Sequence, residues 1–242
     1  MKRAAWVCGL LFVIPGLCSA QTKPWTEWSK KDVDKTLNDS AWGQTQVEER
    51  AEQPKNVEAV TQVAAPRAAN RQMDREGESG EAKPVAATKY RVRFLSAKPI
   101  RAAFARNLLL AQQEPTEDLK TQLQTFVDRD FSSYIVVAVS VEVGDEKMAG
   151  PIMRAFTAAT TEALQNQVYL ERKDGKRLFL MEYRAPTQDG MGAKFVFKRS
   201  VDGQAFLDKS DNVRFFAQLN EKMKVNTRHK LSEMLYDGRL EY

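Results

Sequence analysis

His229 is the only histidine in the chain, so it limits the catalytic chemistry that the sequence can support. Most catalytic triads, zinc sites with two histidines and iron sites with a facial triad need more histidine or other ligands than this chain offers. The apolar alternation predicts a strand over Met223–Leu231 in which His229 shares a face with Val225 and Thr227. This placement favours a hydrogen-bonded histidine of the core, whereas a catalytic role would require a neighbouring carboxylate or hydroxyl group.

Three carboxylate pairs are the next groups that could supply an acid and a base, or bind calcium. They are Asp32 and Asp34, Asp128 and Asp130, and Asp208 and Asp211. None lies in a calcium-binding loop with a central glycine and a terminal glutamate, and each falls where acidic residues cap helices or face solvent. The lone G-x-G at Gly190–Gly192 precedes a predicted strand rather than a helix. We therefore predict no metal site, nucleotide loop or cofactor.

Four cationic residues lie at the tip of a predicted hairpin: Arg172, Lys173, Lys176 and Arg177. The tip is compatible with a solvated turn or with contact to an anionic lipid or cell-wall polymer. A nucleic-acid interface would need a continuous basic face that also carries aromatic residues, and acidic residues interrupt this run. We predict an anionic surface as one candidate partner and no nucleic-acid partner.

Three tryptophans lie within residues 21–42: Trp25, Trp28 and Trp42. Between them, Ser29 and Asp32 form a capping-box pattern that predicts a helix too short to be stable by itself. The indoles either attach this helix to a folded domain, since each can bury a large apolar area, or form a recognition segment for an envelope protein. The three tryptophans and the four hairpin-tip cations are the candidate binding residues.

Residues 1–20 have the three-part order of a secretory signal peptide. Lys2 and Arg3 precede the apolar stretch Ala4–Pro15, and small residues precede Gln21. The apolar stretch is too short to span a bilayer comfortably, so no transmembrane span is predicted after cleavage. We expect an exported protein, periplasmic or secreted, whose mature chain starts at Gln21.

Both cysteines, Cys8 and Cys18, lie in this predicted signal peptide. A lipoprotein signal needs a small residue directly before the modified cysteine, and Leu17 at that position disfavours lipid anchoring. The mature chain would therefore have no thiol, no disulfide and no cysteine ligand for a metal. Its folded part is large enough to be stable without disulfides.

Residues 43–88 contain no Leu, Ile, Phe, Trp or Tyr and are rich in Gln, Glu, Ala, Arg and Pro. Such a segment cannot bury enough apolar surface to offset the entropy of ordering it. We predict a low-complexity disordered linker that has room for a short strand near Thr45–Val47. The chain as a whole is 43% hydrophobic and 29% charged, which excludes disorder throughout and a multi-span membrane protein.

Residues 89–242 alternate between helix and strand patterns and form the predicted folded domain. Apolar spacing and capping residues predict helices over residues 99–111, from Thr116 onward and from Gly150 to about Gln165. Alternation and four Asp-Gly turns predict strands at Tyr90–Phe94, Tyr134–Val143, Val168–Glu171, Arg177–Tyr183, Lys194–Lys198, Val213–Leu219 and Met223–Leu231. The β-branched run at Tyr134–Val143 predicts a central strand that is buried on both faces. We predict an α+β fold, mainly an antiparallel sheet with interleaved helices, preceded by a short helical segment and a flexible linker.

The amino-terminal segments Pro24–Asp32, with its W-T-x-W-S-K-K-D pattern, and Leu37–Trp42 resemble the opening of a set of uncharacterised exported bacterial proteins. The segments Arg93–Pro99 and Tyr236–Tyr242 are similar to the same set. The resemblance covers most of the mature chain except the linker. It implies export and a shared domain, and it carries over no activity and no functional residue.

The signal-peptide pattern and the lack of a catalytic constellation favour an exported, non-catalytic envelope protein that acts by binding or scaffolding. Two alternatives stay open. The first is a hydrolase that uses scattered carboxylates or His229 in a pocket formed by the fold. The second is a peripheral binder of anionic lipid or cell-wall polymer. The expected partners are an envelope protein or an anionic surface.

Overall fold

A computed structural model describes residues 23–49 and 87–242. The predicted signal peptide, residues 1–20, lies outside these described residues. The helices are α1 (Lys30–Asn38), α2 (Lys98–Leu110), α3 (Glu117–Val127), α4 (Glu146–Ala158) and α5 (Thr161–Leu164). All five are too short or too polar to cross a membrane.

Two antiparallel sheets form the centre of the fold, which confirms the predicted α+β class. The five-stranded sheet has the order β1 (Gly43–Glu49), β2 (Ala87–Phe94), β3 (Tyr134–Val143), β7 (Ala193–Lys198), β6 (Glu182–Arg184). The four-stranded sheet has the order β11 (Lys224–Lys230), β10 (Asn212–Gln218), β4 (Val168–Arg172), β5 (Arg177–Phe179). Two short hairpins complete the described strands, β8 (Ser200–Val201) with β9 (Gln204–Ala205) and β12 (Leu235–Tyr236) with β13 (Arg239–Leu240).

The main core lies between the two sheets. Phe195 of β7 and Phe215 of β10 meet there edge to face, with ring centroids 5.5 Å apart. On its other face the five-stranded sheet packs against α1 and α2, where Val33, Ile100 and Val136 of β3 belong to one buried cluster. Strand β3 is therefore central, and its part Ile135–Val139 is buried on both faces, as its β-branched sequence predicts, whereas Tyr134 and the last residues of the strand are partly or fully exposed. The layer order is helices, five-stranded sheet, four-stranded sheet.

The predicted helix at Gly150–Gln165 is wrong in both its limits. Helix α4 begins four residues before Gly150, because the side chain of Asp145 caps it by accepting a hydrogen bond from the Lys147 amide at 3.0 Å. Pro151 therefore lies inside the helix instead of at its start. The helix ends at Ala158, and Thr160 caps the separate helix α5.

The predicted strand at Arg177–Tyr183 is divided between the two sheets. The amide of Leu180 still bonds to the carbonyl of Val168 in β4, at 3.0 Å. The next amide, that of Met181, bonds to the carbonyl of Val196 in β7, at 2.9 Å. The chain thus passes from one sheet to the other at this point, and the predicted hairpin keeps only Arg177–Phe179 as its second strand.

The predicted linker at 43–88 begins too early and ends too late. Gly43–Glu49 is an edge strand, longer than the predicted Thr45–Val47, and it pairs antiparallel with β2, which starts at Ala87. Its polar side chains are tolerated because an edge strand is only partly buried. The hydrogen bonds that hold it to β2 come from the backbone and do not depend on side-chain type. Residues 50–86 lie outside the described part of the chain.

Candidate functional site

Trp25 lies in a small core between α2 and α3 and is 8% exposed. Its neighbours in that core include Ala105 and Leu109 of α2 and Leu123 of α3. The short 3-10 turn Trp25–Glu27 and helix α1 are thereby attached to the folded domain. This burial supports the first of the two predicted roles for the tryptophans, attachment.

Trp28 and Trp42 are half-buried and have bonded indole nitrogens. Trp28 Nε1 donates to the Lys23 carbonyl at 3.0 Å, and the Trp28 carbonyl accepts from Arg106 of α2 at 2.8 Å. Trp42 Nε1 donates to the carbonyl of Glu241 at 2.8 Å. All three indoles therefore have internal contacts, and a recognition role for them stays a prediction.

Three of the four hairpin-tip cations have partners within the protein. Arg172 donates to the Phe206 carbonyl at 3.0 Å and forms an ion pair with the buried Asp211 at 3.4 Å. Lys173 donates to the Ser210 carbonyl at 2.8 Å. Arg177 bonds to Glu171, whereas the exposed side chain of Lys176 contacts no other described residue through a hydrogen bond or ion pair.

The hairpin tip adjoins a face of the four-stranded sheet that is open to solvent. Val213, Phe215 and Val225 point toward the core and are at most 1% exposed. Because side chains alternate along a strand, the residues between them point outward. We call these outward-pointing residues of β5, β4, β10 and β11 the outer face. They are Arg177, Phe179, Tyr169, Glu171, Asn212, Arg214, Phe216, Gln218, Lys224, Asn226, Arg228 and Lys230.

Aromatic rings and arginines form a closed cluster on the outer face. The ring of Tyr169 lies between Phe216, stacked with centroids 5.0 Å apart, and the guanidinium of Arg177, 4.4 Å from the ring centroid. Arg214 covers Phe216 at 5.2 Å. Glu171 joins the two arginines, accepting from Arg177 Nε at 2.6 Å and from Arg214 Nη1 at 3.4 Å. The bond from Arg177 is the main cause of the lowered pKa of Glu171, so this carboxylate is charged and already paired.

Strand β11 carries the freely exposed cations of the outer face. The side chains of Lys224 and Arg228 are exposed and form no hydrogen bond or ion pair with any other described residue. Lys230 is also exposed and is paired only with Glu233, at 3.1 Å. Such an exposed ion pair is weak and can be exchanged for another anion.

A groove of about 460 Å³ runs from the hairpin tip to the end of β11. Its charged lining consists of Glu171, Arg172, Lys173, Arg214, Arg228 and Lys230. Because Glu171 is paired with Arg177 and Arg214, the groove presents positive charge. A groove lined in this way attracts anions.

His229 is a core residue, as its strand position predicts. It is 0% exposed, and its Nδ1 lies 2.7 Å from the carbonyl oxygen of Ala41, which can only accept a hydrogen bond. The imidazole is therefore protonated at Nδ1, and its Nε2 accepts from the Thr227 hydroxyl at 3.0 Å. A hydroxyl beside a histidine could in principle be activated as a nucleophile, but Thr227 is only 6% exposed. The backbone strand that carries His229 lines the groove, but the imidazole and the hydroxyl are closed to solvent.

The three predicted carboxylate pairs have structural partners. Asp34 pairs with Lys30 at 2.6 Å, Asp208 accepts from the Ser210 hydroxyl at 2.7 Å, and Asp211 pairs with Arg172 at 3.4 Å. Asp32 completes the capping box with Ser29, Asp128 pairs with Lys98 at 2.7 Å, and Asp130 bonds to Ser132 at 2.7 Å. These bonds lower the pKa of all three carboxyl groups, whereas a general acid needs a raised one. Among the described residues, no group of three or more metal-ligating side chains is placed to hold a metal ion.

Comparison with known proteins adds no functional assignment, because no protein-family model, curated protein or solved structure matches the chain. The predicted resemblance to exported bacterial proteins thus stays a prediction. Sequence reasoning identified the hairpin tip but missed the cations of β10 and β11. Their signal was present in the polar positions that alternate with apolar ones in Val213–Leu219 and Met223–Leu231.

Proposed function

We propose that the protein is exported and acts by binding an anionic ligand on the outer face, without catalysing a reaction. The observation that carries this proposal is the charge balance of that face. Five of its outward positions are cationic, and its one carboxylate, Glu171, is already paired with two of them. Lys224 and Arg228 remain exposed and without an internal partner. An anionic ligand would meet these two charges with no competing carboxylate bonded to them.

The surroundings of the titratable groups support binding over hydrolysis. Each carboxyl group in the described residues whose pKa departs clearly from its ordinary value is shifted downward, as for Glu171 and Asp189. Hydrolytic general acids need the opposite shift, which comes from burial without a cationic partner. His229 is enclosed, and the charged groove near it is lined by arginines and lysines, which suit anion binding.

The test is the salt dependence of binding to poly-L-glutamate, a flexible anion with no other recognition element. We expect binding that weakens steeply as sodium chloride rises, because screening acts on exposed charges. The double variant Lys224→Gln with Arg228→Gln should bind about five- to tenfold more weakly, at about 0.5–0.7 kcal/mol for each exposed charge. Its matched control is Lys31→Gln with Lys35→Gln, which removes the same charge from exposed positions of α1 in the opposite layer.

The control variant should bind as the unmodified protein does. Equal losses in the two double variants would show that net charge alone is responsible, and they would contradict a site on the outer face. Absence of any salt-sensitive binding would contradict an anionic ligand altogether. Both substituted pairs are exposed, so circular dichroism should show an unchanged fold.

A further inference from the structure

The cations of β11 form a ladder with a regular spacing. Lys224, Asn226, Arg228 and Lys230 occupy alternate positions on the strand, and all four are exposed. Three of the four are cationic. Asn226, the uncharged position, accepts a hydrogen bond from Arg214 at 2.8 Å, which places the Arg214 guanidinium beside it. Alternate residues on a strand lie about 7 Å apart, so the ladder presents positive charge with that repeat.

The ladder ends in a groove instead of on a flat surface. Arg228 and Lys230 belong to both the ladder and the groove that leads to Lys173 at the hairpin tip. A concave path of about 460 Å³ fits an extended chain, whereas a bilayer surface would contact only its rims. The shape therefore favours a linear polymer over a membrane.

The rings of the outer face are already occupied, which argues against a ligand that needs stacking platforms. Tyr169 is 8% exposed because Phe216 and Arg177 cover its ring. Phe216 is covered in turn by Arg214, and only Phe179 at the edge is well exposed, at 45%. Proteins that bind single-stranded nucleic acids offer several free rings to successive bases. The outer face instead suits anions that carry no aromatic group.

We propose that the ligand of the outer face is a linear polyphosphodiester with one negative charge about every 7 Å, of the poly(glycerol phosphate) type. This inference rests on the proposed function and adds the chemical class of the ligand. Phosphates of an extended glycerol phosphate chain repeat at about the distance between alternate strand residues. Phosphodiesters would contact Lys224, Arg228 and Lys230 of the ladder and, at Asn226, the guanidinium of Arg214, and the chain would continue through the groove toward Lys173.

The experiment compares four phosphate-bearing probes, of which the first three carry equal numbers of phosphates. They are poly(glycerol phosphate), inorganic polyphosphate, oligothymidylate and vesicles of phosphatidylglycerol with phosphatidylcholine. We expect poly(glycerol phosphate) to bind at least tenfold more tightly than the other three at one ionic strength. The Lys224→Gln with Arg228→Gln variant should lose about tenfold in affinity for it, and the Lys31→Gln with Lys35→Gln control should lose none.

Each alternative result has a distinct meaning. Tighter binding of oligothymidylate would overturn the inference in favour of base recognition, and tighter binding of the vesicles would overturn it in favour of a membrane. Equal affinity for all four probes would overturn the spacing argument while leaving an anion-binding function intact. If none of the four binds in a salt-sensitive manner, both this inference and the proposed function fail.

Discussion

Protonation of His229 should destabilise the fold in mildly acidic solution. The imidazole is enclosed in the core, donates to the Ala41 carbonyl and accepts from the Thr227 hydroxyl. A second proton would have to displace that hydroxyl contact in a site closed to solvent. Burial is the main cause of its lowered pKa, which falls from 6.5 to about 4.

The sign of the effect follows from the protons bound in each state. Above about pH 6.5 the histidine is neutral in the folded and the unfolded chain, so it adds no pH dependence. Between about pH 6.5 and pH 4 only the unfolded chain binds the extra proton, and the free energy of unfolding falls as the pH falls. For these two pKa values, lowering the pH from about 7 to about 4.5 removes about 2 kcal/mol from the free energy of unfolding.

The assay is urea unfolding at these two pH values, followed by tryptophan fluorescence, with His229→Gln beside the unmodified protein. Glutamine does not titrate and can both donate and accept hydrogen bonds, so it removes the proton site while keeping bonding capacity. Carboxylates titrate in both proteins, and their contribution cancels in the difference. The free energy of unfolding should fall by about 2 kcal/mol more in the unmodified protein than in the variant. Parallel losses in the two proteins would refute the assignment of this pH dependence to His229.

Four further substitutions test the packing by urea unfolding, and one measurement tests export. Trp25→Ala should cost about 3–5 kcal/mol, because it empties a position in the core between α2 and α3. Gly192→Ala should lower the free energy of unfolding by more than about 3 kcal/mol, since φ is +89° and a Cβ would lie 2.2 Å from the Val139 carbonyl oxygen. Gly175→Ala is its control, because φ is +81° there but no atom lies near the new Cβ. This substitution should lower the free energy of unfolding by only about 1–2 kcal/mol. Arg93→Met should cost about 2 kcal/mol, because it leaves the buried Leu37 carbonyl without its donor at 2.9 Å. Amino-terminal sequencing of the secreted product should begin at Gln21.

Local chemistry explains which parts of the fold could be predicted from the sequence. Ser29 and Thr116 cap helices where their side chains indicate, because capping depends on neighbours three residues away. The strand at Tyr134–Val143 was recognisable because six of its residues are β-branched, and such residues favour strands over helices. Strand β1 was mostly missed, since its polar residues resemble a linker until β2 is beside them.

The outer face could not be predicted because its parts come from distant segments. Tyr169 and Phe216 are paired in register across two strands that are 47 residues apart in the chain. Their stacking and the bridging of Arg177 and Arg214 by Glu171 exist only once that register is set. The hairpin-tip cations were visible as a run, whereas those of β11 are separated by the inward-pointing Val225, Thr227 and His229.

The amino-terminal segment also determines how a ligand can approach β11. This strand is at the edge of its sheet, and an exposed edge would pair with any extended chain. Gln46 of β1 closes that edge by donating to the Lys224 carbonyl at 2.8 Å and accepting from the Asn226 amide at 2.7 Å. The side chain of Gln44 also donates a hydrogen bond to this edge, to the Arg228 carbonyl at 2.6 Å. Backbone pairing is thereby blocked, and the side chains of the outer face remain the route by which β11 would contact the proposed ligand.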